Sequence, residues 1–136
     1  MCTFATEPPG ASHWEQWHCE HQGPHPAIVA AQDGEVAGWG SLSTWNTRCA
    51  YRYTVEDSVY VRPDCHGRGL GRAILARLID LARTLNHRSV IAQIADHQPA
   101  SERLHESLGF RPVGCLNRVG FKFDRWIDVV IWQLEL

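Results

Sequence analysis

The chain has no excess of positive charge: 13 Lys and Arg stand against 15 Asp and Glu, a formal net charge of -2. Nucleic-acid-binding domains usually carry a basic excess that neutralises phosphates, so this balance argues against that class. No apolar run approaches the roughly 20 residues that a membrane-spanning helix needs. The first residues also lack the charged-then-apolar order of a secretory leader. The expectation is a soluble, cytoplasmic protein that partners neither nucleic acid nor membrane. The five cysteines, Cys2, Cys19, Cys49, Cys65 and Cys115, are odd in number and contain no C-x-x-C pair. That suits reduced thiols better than a disulfide framework or a zinc site. Repeats, linkers and low-complexity segments are missing too. What remains is 136 residues, 44% hydrophobic and 21% charged, which is enough apolar material for the core of one domain spanning 1–136.

Along the chain, "TFATEPPG" reads as a loop, and Ala11 to Gln22 as a short helix with Ser12 as its N-cap, closed by Gly23 and Pro24. "AIVAAQDGEVAGWGSLS" holds two apolar runs joined by Asp33-Gly34, a strong hairpin signal. Ala50 to Val61 alternates and is rich in Tyr, Val and Thr, predicting a third strand that Pro63 ends. Leu70, Ile74, Leu78, Leu81 and Leu85 recur at helical spacing and predict a helix from about Leu70 to Leu85. Arg88 to Ala95 reads as a buried strand, and Ser101 starts a second helix closed by Gly109. Two strands follow, around Arg111 to Phe121 and Trp126 to Leu136. This order implies the α/β or α+β class, a mixed sheet with helices on both faces.

The strongest local signal is "DCHGRGLGRAILARL", in which Gly67, Gly69 and Gly71 occupy alternate positions between a strand and a helix. A nucleotide-triphosphate loop needs Lys and then Ser or Thr after its glycines; here Arg72 and Ala73 follow. A dinucleotide fingerprint needs G-x-G-x-x-G and an acidic residue on a second strand, and the spacing here is G-x-G-x-G. The acyl-coenzyme A pyrophosphate loop, roughly [Gln/Arg]-x-x-G-x-[Gly/Ala], fits Gly69, Leu70 and Gly71, with His66 in its first position. Free N–H groups at a helix start and the helix dipole suit a pyrophosphate. A tight loop that merely caps an ordinary helix fits the same residues. A second cluster, His13, His18, Cys19, His21 and His25, has spacings of a kind that can share a helical face but matches no metal signature, so no metal is expected.

Several motifs together resemble the GNAT superfamily of acyl-coenzyme A-dependent N-acyltransferases, and within it the phosphinothricin acetyltransferases. They are "TEP", the stretch from "VAAQDGEVAGWGSLSTWNTRCAYRYTVEDSVYV" through "RPDCHGRGLG", then "LHESLGF" and "GFKFDRWIDVVIWQL". The resemblance covers almost the whole chain. Against the family pattern, the usual first strand and helix are not seen ahead of "TEP", Gln98 stands where Asn is usual, and Asn46 where Lys is frequent.

The resemblance implies transfer of an acetyl group from acetyl-CoA, as co-substrate, to the amino group of a small amino-acid-like molecule of the phosphinothricin or methionine-derivative type. Another amine acceptor (a protein N-terminus or an antibiotic) and a non-catalytic acyl-CoA-binding remnant are the alternatives. The implied base is Glu56; His105 falls where many members place a Tyr that protonates the leaving thiolate. Alternation puts Glu56 and Asp57 on opposite strand faces, so only one of these acids is expected to face the cleft. The coenzyme is implied to lie along Val59, Tyr60 and Val61, then on His66, Gly67, Arg68, Gly69, Leu70, Gly71 and Arg72, with Gln98 and Ser101 beside it. Phe4, Arg48 and Tyr51 match substrate-pocket positions, and Arg48 is suited to a substrate carboxylate. The family commonly dimerises, which implies a homodimer.

Overall fold

A computed structural model describes residues 6–136. In chain order the elements are α1 (Ala11–Glu20), β1 (Ala27–Gln32), β2 (Glu35–Thr44), β3 (Thr54–Val61), α2 (Leu70–Thr84), β4 (Ser89–Ala95), α3 (Pro99–Glu106), β5 (Arg111–Lys122) and β6 (Arg125–Glu135). Short 3-10 turns at Cys49–Tyr51 and Pro63–Cys65 flank β3. The six strands form one mixed sheet in the order β1-β2-β3-β4-β6-β5. Only the central β3–β4 pairing is parallel.

The Asp33-Gly34 hairpin forms as its sequence demands, with φ of 53° and 83° at its two turn residues and β1 antiparallel to β2. Three boundaries differ from expectation. Helix α1 is capped by the Gly10 backbone and contains Ser12, whose side chain makes no cap; it ends at Glu20. Strand β3 starts at Thr54 instead of Ala50, because its β4 partner begins opposite it, at Ser89, and the chain before it coils with Tyr51 N–H on Arg48 O at 2.9 Å. Helix α3 starts at Pro99, two residues before Ser101, since a first-turn proline lacks only an N–H that the helix cannot use.

The stripe on α2 buries Ile74, Leu75, Leu78, Ile79 and Ala82 against Leu42, Val55, Val90 and Ala92 of the sheet. Gly38 and Gly40 face that helix, so Trp39 between them faces the other way, where Trp14 and Trp17 of α1 meet it edge-on. Helices therefore cover both faces, α2 and α3 on one and α1 on the other. Close packing explains Gly40: a Cβ there would lie 2.6 Å from Ile74 Cγ2 and 2.9 Å from Ser58 O. Gly40→Ala is expected to cost about 1–3 kcal/mol by overpacking. Urea unfolding would show this as a lowered midpoint, and an unchanged midpoint would refute the tight α2–β2 contact.

One feature of the sheet positions the site. β3 and β4 pair only at Thr54↔Ser89, Val55↔Val90 and Glu56↔Ile91. Beyond that β3 stays with β2 as far as Val61, while β4 follows β6 to Ala95. The sheet is thus split along its middle.

Candidate active site

A cavity of about 610 Å³ fills the split, walled by Glu56 to Val61 on one side and Ala92 to Ala95 on the other. The glycine loop and the first turns of α2 and α3 close its end. The direction of the β3 backbone follows from one bond, Arg62 N–H to Ala37 O at 2.9 Å. Backbone groups alternate between neighbours in an antiparallel pair, so Glu56, Ser58 and Tyr60 point theirs at β2. Those of Val59 and Val61, beyond the last β3–β4 pair at Glu56↔Ile91, point into the split. His66 Nε2–H donates to Val61 O at 2.8 Å, which ties the loop back onto the strand.

Gly67 and Gly69 have φ of 74° and 79°, a left-handed conformation that glycine adopts without strain. Gly69 is the N-cap of α2 and no side chain caps it. The first N–H groups of the helix, at Leu70, Gly71 and Arg72, have no acceptor within the helix. Gly67, Gly69, Leu70 and Gly71 line the cavity; so do Val59, Tyr60, Val61, His66, Gln98 and Ser101. Gln98, the N-cap of α3, also donates from Nε2 to Ala95 O at 3.1 Å. Arg68 and Arg72 lie outside the lining. Arg68 Nη1 is 3.5 Å from Gln32 Oε1, and Arg72 Nη1 donates to Ser107 Oγ at 2.6 Å.

Glu56 and His105 both reach the cavity, from different elements. Gln93 Nε2 donates to Glu56 Oε1 at 3.0 Å. Burial pushes the Glu56 carboxyl above its ordinary value; the Gln93 bond opposes this, and the Asp57 charge adds to it. His105 is buried, with Nδ1 2.7 Å from Ser101 O and Nε2 3.1 Å from Asp57 Oδ2. Both partners accept only, so a ring that makes both bonds carries both protons and is an imidazolium. Burial works against that charge, but the Asp57 hydrogen bond and charge, with the Ser101 carbonyl, outweigh it and hold the His105 pKa above 6.5.

The expectation that only one acid faces the cleft is corrected: Glu56 and Asp57 both line it. Where the sheet is split, the gap is open from both faces, so alternation no longer screens one residue from it. Asp57 is the residue that the sequence reading passed over. Its signal was a carboxylate in the core-facing series Val55, Asp57, Val59 and Val61, a place where a charge needs a buried partner. That partner is His105.

Of the residues expected on the acceptor side, the two that are described do not line the cavity. Arg48 and Tyr51 lie on the turn before β3 and outside the lining; Tyr51 is exposed, and the Arg48 N–H donates to Asn46 Oδ1 at 3.0 Å. Phe4 lies outside the described residues. The early histidines are spent locally: His21 makes hydrogen bonds with Trp17 O and Ser43 Oγ, His18 is met by Gln22, and His25 meets Thr44 Oγ1.

The acetyltransferase (GNAT) family pattern matches residues 2–110. Over 112 residues the chain is 45% identical to an L-methionine sulfoximine/L-methionine sulfone acetyltransferase of Salmonella typhimurium, covering 82% of this chain and 66% of that protein. It therefore spans just under two thirds of the length of this curated relative. Among solved structures, a phosphinothricin acetyltransferase of the GNAT superfamily from Sinorhizobium meliloti, in complex with acetyl-CoA, is 35% identical. It superposes with a TM-score of 0.94, over 99% of this chain and 74% of that one. A ribosomal-protein-alanine N-acetyltransferase from Brucella melitensis is 34% identical with a TM-score of 0.95, over 100% and 85% of the two chains. Fold and sequence agree, and the chain belongs to the acetyltransferase (GNAT) family.

Proposed function

We propose that the chain is a single acyltransferase domain that moves an acetyl group from acetyl-CoA to the amino group of a small amino-acid-like acceptor of the phosphinothricin or methionine sulfoximine type. The observation that carries this reading is the split between β3 and β4. It leaves the backbone of Val59 and Val61 open beside the N-terminus of α2, so strand amides and helix-end N–H groups face one cavity. That set of donors fits an elongated, amide-bearing diphosphate such as coenzyme A.

When bound, the coenzyme supplies an acetyl thioester, whose carbonyl carbon takes the amine and whose sulfur leaves. Glu56 accepts a proton from the acceptor's ammonium group, directly or through water, since only the neutral amine is nucleophilic. The open amides of β3 donate to the carbonyl oxygen as it gains negative charge. His105, holding both ring protons, gives one to the departing sulfur. The loop from His66 to Gly71 holds the diphosphate, and Gln98 and Ser101 border the same channel. Arg68 and Arg72, placed outside the lining, brace the loop to β1 and α3 and add positive charge near it.

Incubation with acetyl-CoA and phosphinothricin, methionine sulfoximine or methionine sulfone is expected to yield the N-acetyl product by mass spectrometry. Absence of product from every acceptor would sink the proposal; coenzyme binding by calorimetry without turnover would instead identify a non-catalytic remnant.

Arg48 and Tyr51 lie away from the cavity, and this favours one second reading, in which the acceptor is a protein N-terminus or an antibiotic amine. Arg48→Ala separates the two. A rise in KM for amino-acid acceptors of about tenfold, the loss of roughly one charge-assisted hydrogen bond, supports a read carboxylate. An unchanged KM removes Arg48 from the pocket.

A homodimer in the cytoplasm completes the proposal. Val113, Leu116, Val119, Phe121, Phe123 and Trp126 on and around the β5–β6 hairpin are each about half exposed or more, a concentration of apolar surface that supports self-association. No described helix is long and apolar enough to cross a membrane.

A further inference from the structure

Away from the cleft, three different metal-ligand chemistries converge from three parts of the chain. His97 follows β4, Cys115 is on β5 and Asp128 on β6, and a ligand atom from each lies within 4.8 Å of the other two. The topology makes this meeting possible, because β6 runs between β4 and β5. Cys115 pairs with Val130, two residues from Asp128, so both side chains leave the same face of the sheet. The Asp96 N–H then donates to Asp128 O at 3.0 Å, which brings the next residue, His97, to the same place.

We propose that His97, Cys115 and Asp128 form a zinc-binding site. One imidazole, one thiol and one carboxylate make the mixed nitrogen, sulfur and oxygen set that suits Zn²⁺ and is wrong for magnesium or calcium, which prefer oxygen alone. A thiolate and a carboxylate together neutralise a divalent cation, and the imidazole adds a neutral donor. The cysteine binds as thiolate, so its proton leaves to solvent as the sulfur–zinc bond forms. His97 and Cys115 are exposed, which leaves the fourth tetrahedral position to water.

The ligands already have the outer partners that orient a metal site. The Arg118 N–H donates to Asp128 Oδ1 at 2.6 Å, leaving the other carboxylate oxygen. Glu102 Oε1 lies 3.6 Å from His97 Nδ1, a carboxylate beside the ring. Asp96, His97 and Arg118 have φ of 60°, 43° and 52°, left-handed values that cost a non-glycine residue energy. These strained residues are a ligand, the residue that delivers it, and the donor that orients another. The metal would fasten the start of α3, which carries Gln98, Ser101 and His105, to β5 and β6. The proposal stands apart from the acetyl-transfer reading, because its ligands are outside that cavity.

The test uses the whole chain, stripped with a chelator, reloaded with zinc and dialysed. Wild-type protein is expected to keep one zinc per chain by mass spectrometry and to unfold at higher temperature than the stripped form. Cys115→Ser and Asp128→Asn are expected to weaken zinc retention at least about tenfold, while His18→Gln/His25→Gln retains it. Cobalt(II) in place of zinc should show a thiolate-to-metal absorption band in the wild type that Cys115→Ser lacks. Zinc should also protect Cys115, but not Cys19 or Cys49, from alkylation in the wild-type chain. No retained zinc, retention unchanged in both ligand variants, or Cys115 alkylated equally with and without zinc would each overturn the assignment.

Discussion

Glu56→Gln is expected to lower kcat by about 10²–10⁴-fold, the usual contribution of a positioned general base, while coenzyme binding measured by calorimetry stays unchanged. Glutamine keeps the size of the side chain and a carbonyl oxygen for Gln93, so what is removed is the capacity to take a proton. The sign of the pH dependence follows from the surroundings. A base works when ionised, and burial holds the Glu56 carboxyl above its ordinary value, so the rising limb of the rate profile lies higher than for an exposed glutamate. The Gln93 hydrogen bond acts the other way. Gln93→Ala is therefore expected to move that limb to still higher pH without removing it. A Glu56→Gln enzyme with wild-type kcat, or a limb that Gln93→Ala shifts downward, would take the proton-accepting role away from Glu56.

What the sequence could reveal about this site depended on whether the cause was local. Asp33-Gly34 and the glycine loop were legible because backbone conformation at a turn is set by the few residues in it, and both have the positive φ their residues suggest. The α2 stripe was legible because burial imposes a period on one helix, although the expected Leu85 ends up as its C-cap. The split between β3 and β4 had no such mark. It arises because each strand holds to its outer neighbour, β2 or β6, and partner choice leaves no pattern within "TVEDSVYV" or "SVIAQIA". The same non-locality hid the Asp57–His105 pair, 48 residues apart. Arg48 and Tyr51 were misplaced relative to the cavity for a related reason. Both follow from the family resemblance, and the expected strand, from Ala50, takes in Tyr51 but not Arg48; the chain instead coils before Thr54.

The buried pair gives the second large effect. His105→Leu is expected to destabilise the fold by about 3–5 kcal/mol, the cost of leaving one member of a buried ion pair without its partner. Asp57 Oδ2 would lose its hydrogen bond to His105, and Oδ1 has no hydrogen-bond partner among the described residues. Adding Asp57→Asn should recover part of that loss, because an amide needs less solvation than a carboxylate; a double variant no more stable than His105→Leu alone would refute the pairing. Asp57→Asn by itself tests the charge. With the folded His105 pKa raised above 6.5, the stability it contributes is fully present below the unfolded value, about 6.5, and is lost as pH rises through the folded one. Urea unfolding across that window should show this decline in the wild type and little of it in Asp57→Asn. The rate profile reports the same proton. If His105 is the acid proposed for the leaving sulfur, loss of the imidazolium removes it, so the falling limb of kcat should move to lower pH in Asp57→Asn. A stability slope that disappears while the falling limb stays in place would leave the pair a structural bond and assign the proton to another group.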